Sequence, residues 1–331
     1  MTATATATAR TTLKNPPARP RARPARCAPP GRGRALRAAP AVVGEPGVAA
    51  PLPLFKALGR RTWADAAPGW RAWTPQLAVQ SRAATAALLR AGRFEPGQHV
   101  VDLASGTGDP ALALAAAVVP GGRVTATDLV PGMLAGVAGA AGRRGLANVV
   151  CQAADAEALP FATGTADRIT CRFGVCFFPD PVAALREARR VLRPGGRAVL
   201  VSWGPPEGNS WYGRTVGILT GLGPGGGAAP DPETPGPFRF ARPGALAAAL
   251  RAAGFARVRT ATRVVPWPWP GTPEQCRAQA LDAAGVRRLL ARLPPEHRDR
   301  ALADALAAIR SRYDGRRVRF SATIVVAWGD R

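Results

Sequence analysis

The sequence predicts an α/β protein built on a doubly wound, mostly parallel sheet, and three observations carry that expectation. Short apolar runs rich in β-branched residues alternate with helix-forming segments from about residue 97 to residue 203. A glycine-rich turn, Ala104-Ser105-Gly106-Thr107-Gly108-Asp109, directly follows the first of those runs. Asp128 closes the second run, twenty residues past Gly108. Strand and helix alternating in this way imply βαβ units with crossovers of one hand. The expected architecture is a Rossmann-like sheet with an antiparallel last strand and added helical cap elements.

Residues 1–52 come first and fit no part of that sheet. They open on alternating Thr-Ala and continue as NPPARPRARPARCAPPGRGRALRAAP. Proline at this density prevents regular structure, and the segment is too polar to bury itself. We read it as a disordered Arg/Pro/Ala-rich extension of a single domain spanning 53–331. It has no apolar h-region, so it is not a secretory signal. Its arginine content and lack of acids partly resemble an organellar transit peptide, but such peptides are serine-rich and the first serine of this chain is Ser81. The expected location is therefore the cytoplasm, with a plastid or mitochondrion as the alternative if residues 1–50 are a targeting segment. A start codon placed too early is a further reading of the same stretch.

From Pro53 the texture becomes helical, with Leu77, Ala84, Leu88 and Leu89 on one side. Trp63, Trp70 and Trp73 fall in the first half of this segment. Tryptophan suits both a buried core and the half-wet rim of a pocket, and both readings stay open here. After Pro96-Gly97 the expected elements are a strand at Val100–Leu103, a helix to about Val119, and a strand at Arg123–Thr127 ending on Asp128. A helix to Arg144 follows, then strands at Asn148–Gln152 and Arg168–Arg172. Next come a helix at Pro181–Leu192, closed by Arg193-Pro194-Gly195-Gly196, and a strand at Ala198–Trp203. Residues 204–243 read as loop-rich, with GLGPGGGAAPDPETPGP at the centre. A helix at Ala245–Gly254 is stopped by glycine, and strands are expected at Val258–Val265 and Val318–Trp328. Between them lie two helices. One opens on Thr272-Pro273-Glu274-Gln275, an N-cap with a possible capping box. The other, at about Glu296–Tyr313, places Leu302, Leu306 and Ile309 on one face.

Composition excludes several classes. No apolar run approaches the roughly 18 residues of a membrane-spanning helix. The formal charge of +24 invites a nucleic-acid partner. Only two of the 45 basic residues are lysines, however, Lys14 and Lys56, and nine basic residues precede the first acid, Glu45. A compositional bias toward Ala, Gly, Pro and Arg is a sufficient cause, and nucleic acid is not the expected partner. The five cysteines form no C-x-x-C pair, and the only histidines, His99 and His297, are far apart. No metal site is expected.

The turn after the first strand is the natural ligand site of an open parallel sheet. Gly106 and Gly108 allow positive φ and close approach of backbone N–H groups. Asp128 stands where a carboxylate takes both ribose hydroxyls of an adenosine ligand. Two ligands share that signature, a dinucleotide and S-adenosylmethionine. Asp102 and Asp109 flank the turn where a pyrophosphate would sit. At an effective dielectric of about 20, like charges 4 Å apart repel by about 4 kcal/mol. S-adenosylmethionine carries no phosphate and presents an ammonium and a sulfonium, which carboxylates attract. Asp109 also has a plain reading as a helix-start residue.

The stretches VVDLASGTGD, VTATDLVPGML, ADAEALPF and CRFGVCFFPDPVAALREARRVLRPGGRAVLVSW resemble, in order and spacing, the class I S-adenosylmethionine-dependent methyltransferases. The likeness is greatest to the small-molecule branch that includes quinone-ring C-methyltransferases (methyltransferase type 11), and it covers about residues 60–328. The family pattern has a glycine where this chain has Ala104. The resemblance implies that Asp102 and the backbone of Ala104, Ser105, Gly106 and Gly108 hold the methionine moiety. It further implies Asp128 on the ribose, Leu129 against the adenine, Asp155 accepting from the adenine amino group with the Ala156 N–H at the ring edge, and Phe173 facing the sulfonium.

Transfer of a methyl group from a sulfonium requires chiefly alignment in a dry pocket. A weakly acidic acceptor would also need a general base, and the sequence offers none. Arg172 could orient an anionic acceptor oxygen or pair with one of the cofactor-site acids. Trp70, Trp211 and Tyr212 are the remaining candidates for acceptor contact, with a cap built from the tryptophan-bearing helix, the Trp211-Tyr212 loop and the two late helices. Competing readings are a nucleic-acid methyltransferase, an NAD(P)-dependent oxidoreductase and a non-catalytic S-adenosylmethionine-binding protein. Against the first two, the chain lacks Asn/Asp-Pro-Pro-aromatic after its fourth strand, a Pro-Cys nucleophile, and Tyr-x-x-x-Lys.

Overall fold

The computed structural model describes residues 52–221 and 234–331. The expected extension, up to residue 51, and the glycine-rich stretch 222–233 lie outside the described residues. Every described residue belongs to one structural unit.

Two helices lead in, α1 (Leu52–Ala72) and α2 (Thr74–Gly92). α2 starts with proline in its first turn and ends on Arg93 in the left-handed region, whose N–H returns to the Leu89 carbonyl. Then β1 (His99–Leu103), α3 (Ala111–Ala117), β2 (Arg123–Asp128), α4 (Pro131–Arg143), β3 (Val149–Ala153), β4 (Ala166–Arg172), α5 (Pro181–Val191) and β5 (Leu192–Trp203) alternate as the sequence predicts. The Asp180 carboxylate accepts from the Ala183 N–H and caps α5. The second half contains α6 (Ser210–Arg214), α7 (Val216–Leu219), α8 (Ala245–Ala252), β6 (Ala256–Pro270), α9 (Pro273–Leu281), α10 (Val286–Leu290), α11 (Pro295–Arg310) and β7 (Arg317–Asp330). Thr272 and Gln275 form the full reciprocal capping box at the start of α9.

The seven strands lie in the order β3-β2-β1-β4-β5-β7-β6. The first five run parallel, and β7 is antiparallel to both of its neighbours. The chain therefore winds outward from β1 in both directions, and the strand order reverses between β1 and β4, at the glycine turn. Each face of the sheet carries its own core. Val100, Val199, Val201 and Ile324 point to the side covered by α2, α3 and α4. Val101, Leu103, Ile169, Leu200 and Val325 point to the side covered by α5 and α8. A side chain as fully buried as Leu103 or Ile169 contributes roughly 1.5–3 kcal/mol.

The loop-rich stretch 204–243 carries two short helices, α6 and α7. Two expectations need correction. The pairing of β5 with β4 begins at Leu192↔Ala166, jumps to Arg197↔Arg168, and leaves residues 193–196 as a bulge rather than a helix stop. The larger revision concerns β6, which continues five residues past Val265 through Pro266-Trp267-Pro268-Trp269-Pro270. Proline argues against a central strand, but β6 is the edge of the sheet and needs partners on one side only. Its outer rim, short of three N–H groups, also resists pairing with another strand.

That extension shapes the molecule. Trp203, the last residue of β5, is level with Ile324 of β7 and hence with Arg263 of β6. Residues 264–270 and 317–323 thus rise beyond the carboxyl end of the parallel strands as a two-stranded wall. Strand alternation puts Val265, Trp267 and Trp269 on its buried face, over the end of β5.

Candidate active site

A cavity of about 480 Å³ opens at the carboxyl ends of the parallel strands. Its floor comes from the turn after β1 (Ala104 to Thr107), the end of β2 (Asp128 to Val130), the residues after β3 (Ala154 to Glu157) and the end of β4 (Arg172 to Gly174). α1, α2, α6, α9, α10 and the β6 wall close over it.

The turn is shaped by backbone strain in one place and side-chain tethers in two. Ala104 and Gly106 have φ of 50° and 56°, which glycine accepts freely and alanine does not. The Asp102 carbonyl accepts from Ser105 Oγ and from Thr127 Oγ1, both at 2.9 Å. Across the cleft, the Asp128 carboxylate accepts from the Gly106 N–H at 3.0 Å and from the Val130 N–H at 2.9 Å. Burial raises the Asp128 pKa, opposed by the N–H groups of Val130, Gly106 and Leu129. Each of its oxygens keeps acceptor capacity, and the residue lines the cavity.

Asp102 and Gly108 lie behind the wall rather than on it. Asp102 is fully buried and directly opposite Thr170 in the β1–β4 register, with Thr170 Oγ1 donating to Oδ1 at 2.5 Å. Its Oδ2 has no partner among the described residues. Burial pushes this carboxyl up to about 7, opposed mainly by the Thr170 hydroxyl. At Gly108, with φ of 121°, a Cβ would come within 3.1 Å of Leu112 and 3.4 Å of the Val137 backbone, so this glycine serves helix packing.

Asp109 is also not what its position in the sequence suggests. The helix α3 starts after it without a side-chain cap. Its carboxylate instead pairs with Arg172 Nη1 at 2.5 Å and accepts from Ser81 Oγ at 2.5 Å and Thr85 Oγ1 at 3.1 Å. Arg172 is one-tenth exposed, and its Nη2 donates to the Asp109 carbonyl at 2.6 Å. The two acids read from the sequence as a pair of negative charges at the turn are thus one neutralised by arginine and one held near its midpoint by burial. Alternation along β4 explains the pairing, since Thr170 and Arg172 share the face that α2 covers. The Nε–H of Arg172 is buried and without a partner among the described residues.

At the other end of the floor, Asp155 Oδ1 accepts from the Glu157 N–H at 2.9 Å. Lys56 of α1 reaches down to Asp155 Oδ2 at 2.7 Å and to Glu157 Oε2 at 2.6 Å. Leu129 and Ala156 line the same end. The sequence reading missed this lysine, although one of two lysines among so many arginines was a signal.

The remaining walls are aromatic. Phe173, held at φ of 64°, stacks on Trp203 with centroids 3.8 Å apart and planes 6° from parallel. Trp267 meets both edge-on, at 5.9 and 5.0 Å. Trp211 closes on Trp203 at 4.9 Å, and Tyr212 meets Trp211 at 5.6 Å. Burial raises the Tyr212 phenol, so it stands as a neutral hydroxyl. On the α1 side, Trp70 packs edge-on to Trp63 at 5.4 Å, and Trp63 to Phe177 at 5.1 Å. Trp203, Trp267 and Trp269 were not singled out in the sequence. Two tryptophans at i and i+2 between prolines carried a usable signal, since that spacing places both on one face of a strand. Of the two late helices expected to cap the site, only the first contributes. α11 packs behind it through Ala301, Ala305 and Ile309.

No carboxylate on the wall is poised as a general base. Asp282 accepts from Trp73 Nε1 at 2.8 Å and from Arg287, and Asp109, Asp128, Asp155 and Glu157 are held as described. Neither histidine lines the cavity. His99 sits at the amino end of β1, bonded to Thr125 and Thr165.

The donor set fits an adenosine ligand without phosphates. A buried carboxylate at the end of β2 faces the strained turn, a second carboxylate stands after β3, and no unpaired cation lies at the start of α3 to receive a pyrophosphate. Comparison with known proteins agrees. The model of the ubiE/COQ5 methyltransferase family matches residues 82–210. The demethylmenaquinone methyltransferase of Thermus thermophilus is 39% identical over 165 residues, covering 48% of this chain and 74% of that protein. Nocamycin O-methyltransferase of Saccharothrix syringae is 32% identical over 192 residues, covering 53% and 69%. Among solved structures, the YcgJ protein of Bacillus subtilis aligns with a TM-score of 0.48 at 20% identity, covering 76% of this chain and 98% of that one. No described helix is long and apolar enough to cross a membrane. The chain belongs to the ubiE/COQ5 methyltransferase family and is an S-adenosylmethionine-dependent enzyme that transfers a methyl group to a small-molecule acceptor.

Proposed function

We propose that the acceptor is a planar, largely apolar ring carrying an acidic oxygen, such as a phenol, an enol or a hydroquinone, methylated on that oxygen or on the ring carbon it activates. The observation that carries this reading is the aromatic wall of Phe173, Trp203, Trp267 and Trp211, which begins at the residue after β4 and runs away from the glycine turn. Flat apolar rings gain both area burial and favourable edge and face contacts in such a box. The names of the two relatives point the same way, one to a quinone precursor and one to O-methylation.

S-adenosylmethionine supplies a methyl group already activated on a sulfonium. Asp128 would hold the ribose hydroxyls, the backbone from Ala104 to Thr107 the methionine part, and Leu129, Asp155 and Ala156 the adenine, with Phe173 between this end and the acceptor. Asp102 would act from behind the turn, through its carbonyl tethers to Ser105 and Thr127. Arg172 would donate its unpartnered Nε–H to the acceptor oxygen. A cation fixed there favours the deprotonated acceptor, which accounts for a site without a general base. Trp70, Trp211 and Tyr212 would close the chamber around the ring. The buried thiols Cys171, Cys176 and Cys276 fit a reducing compartment, and we place the reaction in the cytoplasm.

The test is a calorimetric titration with S-adenosylhomocysteine, followed by a mass-spectrometric screen of phenols, hydroquinones and aliphatic carboxylic acids as acceptors. The expected outcome is methylation of the aromatic classes. For Arg172→Met, the rise of kcat/KM with pH should move toward the acceptor's own pKa. Methylation confined to aliphatic acids, or an unchanged pH profile, would overturn the assignment.

A further inference from the structure

We infer that Trp269 is a specificity-determining residue whose indole N–H binds a second oxygen at the far end of the acceptor. The inference rests on the aryl-acceptor reading above and adds to it a requirement for oxygen at both ends of the ring system.

Trp269 is only 4% exposed and lines the cavity. Its ring packs edge-on to Phe320 at 6.0 Å, but its Nε1 has no hydrogen-bond partner among the described residues. Buried tryptophan N–H groups ordinarily find an acceptor, and a phenylalanine would complete the same wall without stranding a donor. Two amide side chains of the chamber are already matched to each other. Gln80 and Gln279 exchange amide hydrogen bonds at 3.1 and 3.2 Å, and the other two wall tryptophans with assigned N–H partners, Trp73 and Trp211, use Asp282 and Asn209. The Trp269 donor is therefore left for something that enters the cavity.

Position says which part of the acceptor it meets. Trp269 is on β6, and two strands, β5 and β7, separate β6 from β4, where Arg172 and Phe173 stand. Three inter-strand spacings amount to about 14 Å between strand axes. Arg172, whose Nε–H is likewise buried and without a partner among the described residues, is at the end where the methyl group arrives, and Trp269 is at the opposite end. A ring compound lying along the stacked aromatics between them would meet one donor with each edge.

The experiment measures binding of 2,6-dihydroxynaphthalene and of 2-naphthol by calorimetry, in the presence of saturating S-adenosylhomocysteine. Wild-type protein should bind the two-oxygen probe about tenfold more tightly, the worth of one buried hydrogen bond. Trp269→Phe should erase that preference and leave the S-adenosylhomocysteine affinity unchanged. Equal binding of the two probes to wild type, which needs no variant to measure, would overturn the inference, as would a preference that survives Trp269→Phe. A lowered Tm with the preference intact would do so too, and would assign the indole N–H a structural role. Binding of S-adenosylhomocysteine with binding of neither naphthol would overturn the aryl-acceptor reading itself.

Discussion

Asp102→Asn tests the claim that the acid at the end of β1 is a buried structural group rather than an ionised ligand. In the folded protein its carboxyl is pushed by burial from 3.8 up to about 7. Below pH 4 the folded and unfolded chains both hold the proton. As pH rises from 4 to 7 the unfolded chain releases it and the folded chain keeps it, so stability falls across that window and levels off above pH 7. A shift of about three units at 1.36 kcal/mol each makes the loss on the order of 4 kcal/mol, of which roughly 2.5 kcal/mol falls above pH 5. Asparagine keeps the acceptor for Thr170 and cannot titrate. Its amide, stranded where Oδ2 is stranded now, adds a cost that does not vary with pH. Urea unfolding of both proteins at intervals from pH 5 to pH 8 should therefore show the wild type losing stability relative to the variant by roughly 2.5 kcal/mol. A difference that stays constant within about 0.5 kcal/mol would mean the carboxylate is ionised in the fold, and the reasoning from burial would be wrong.

Two further outcomes follow from the geometry. Lys56→Met removes the ion pairs that tie α1 to Asp155 and Glu157; because these groups are partly exposed, each pair is worth less than about 1 kcal/mol. Stopped-flow release of S-adenosylhomocysteine should accelerate about two- to fivefold and lose its salt dependence, whereas unchanged kinetics would show that α1 does not gate this end of the cavity. Gly174→Ala would bring a Cβ to 2.5 Å from the Ala104 Cβ and 3.0 Å from the Cys171 sulfur. The clash should cost about 1–3 kcal/mol in urea unfolding and weaken S-adenosylhomocysteine binding through the displaced turn, and a variant equal to wild type in both would refute the tight packing of these two turns.

The parallel half of the sheet was legible because its signals are local. Alternating strands and helices, Pro131 and Pro181 at helix starts, and a glycine turn after an apolar run all act within a few residues of where they stand in the chain. The positions of Ala104, Gly106, Asp128, Asp155 and Phe173 on the cavity floor follow from the same regularity, because each comes directly after a strand of a parallel sheet. Lys56, Trp203, Trp267 and Trp269 were not legible in that way. Their partners are distant in sequence, and the strand that carries two of them is written in prolines that ordinarily signal its end.

The electrostatics of the site divide along the same line. The sequence by itself determined the fold class, the cofactor class and the absence of a histidine base, since these depend on residue type, local spacing and inventory. Only the tertiary structure decided the state of the acids. Asp102 and Asp109 look alike beside the turn, but strand alternation turns one into the sheet, where burial pushes its carboxyl up to about 7 against the opposing Thr170 hydroxyl, and chain packing brings Arg172 and α2 onto the other. A charge is a property of surroundings as well as of a side chain, and those surroundings are assembled from residues 24 to 68 positions away along the chain.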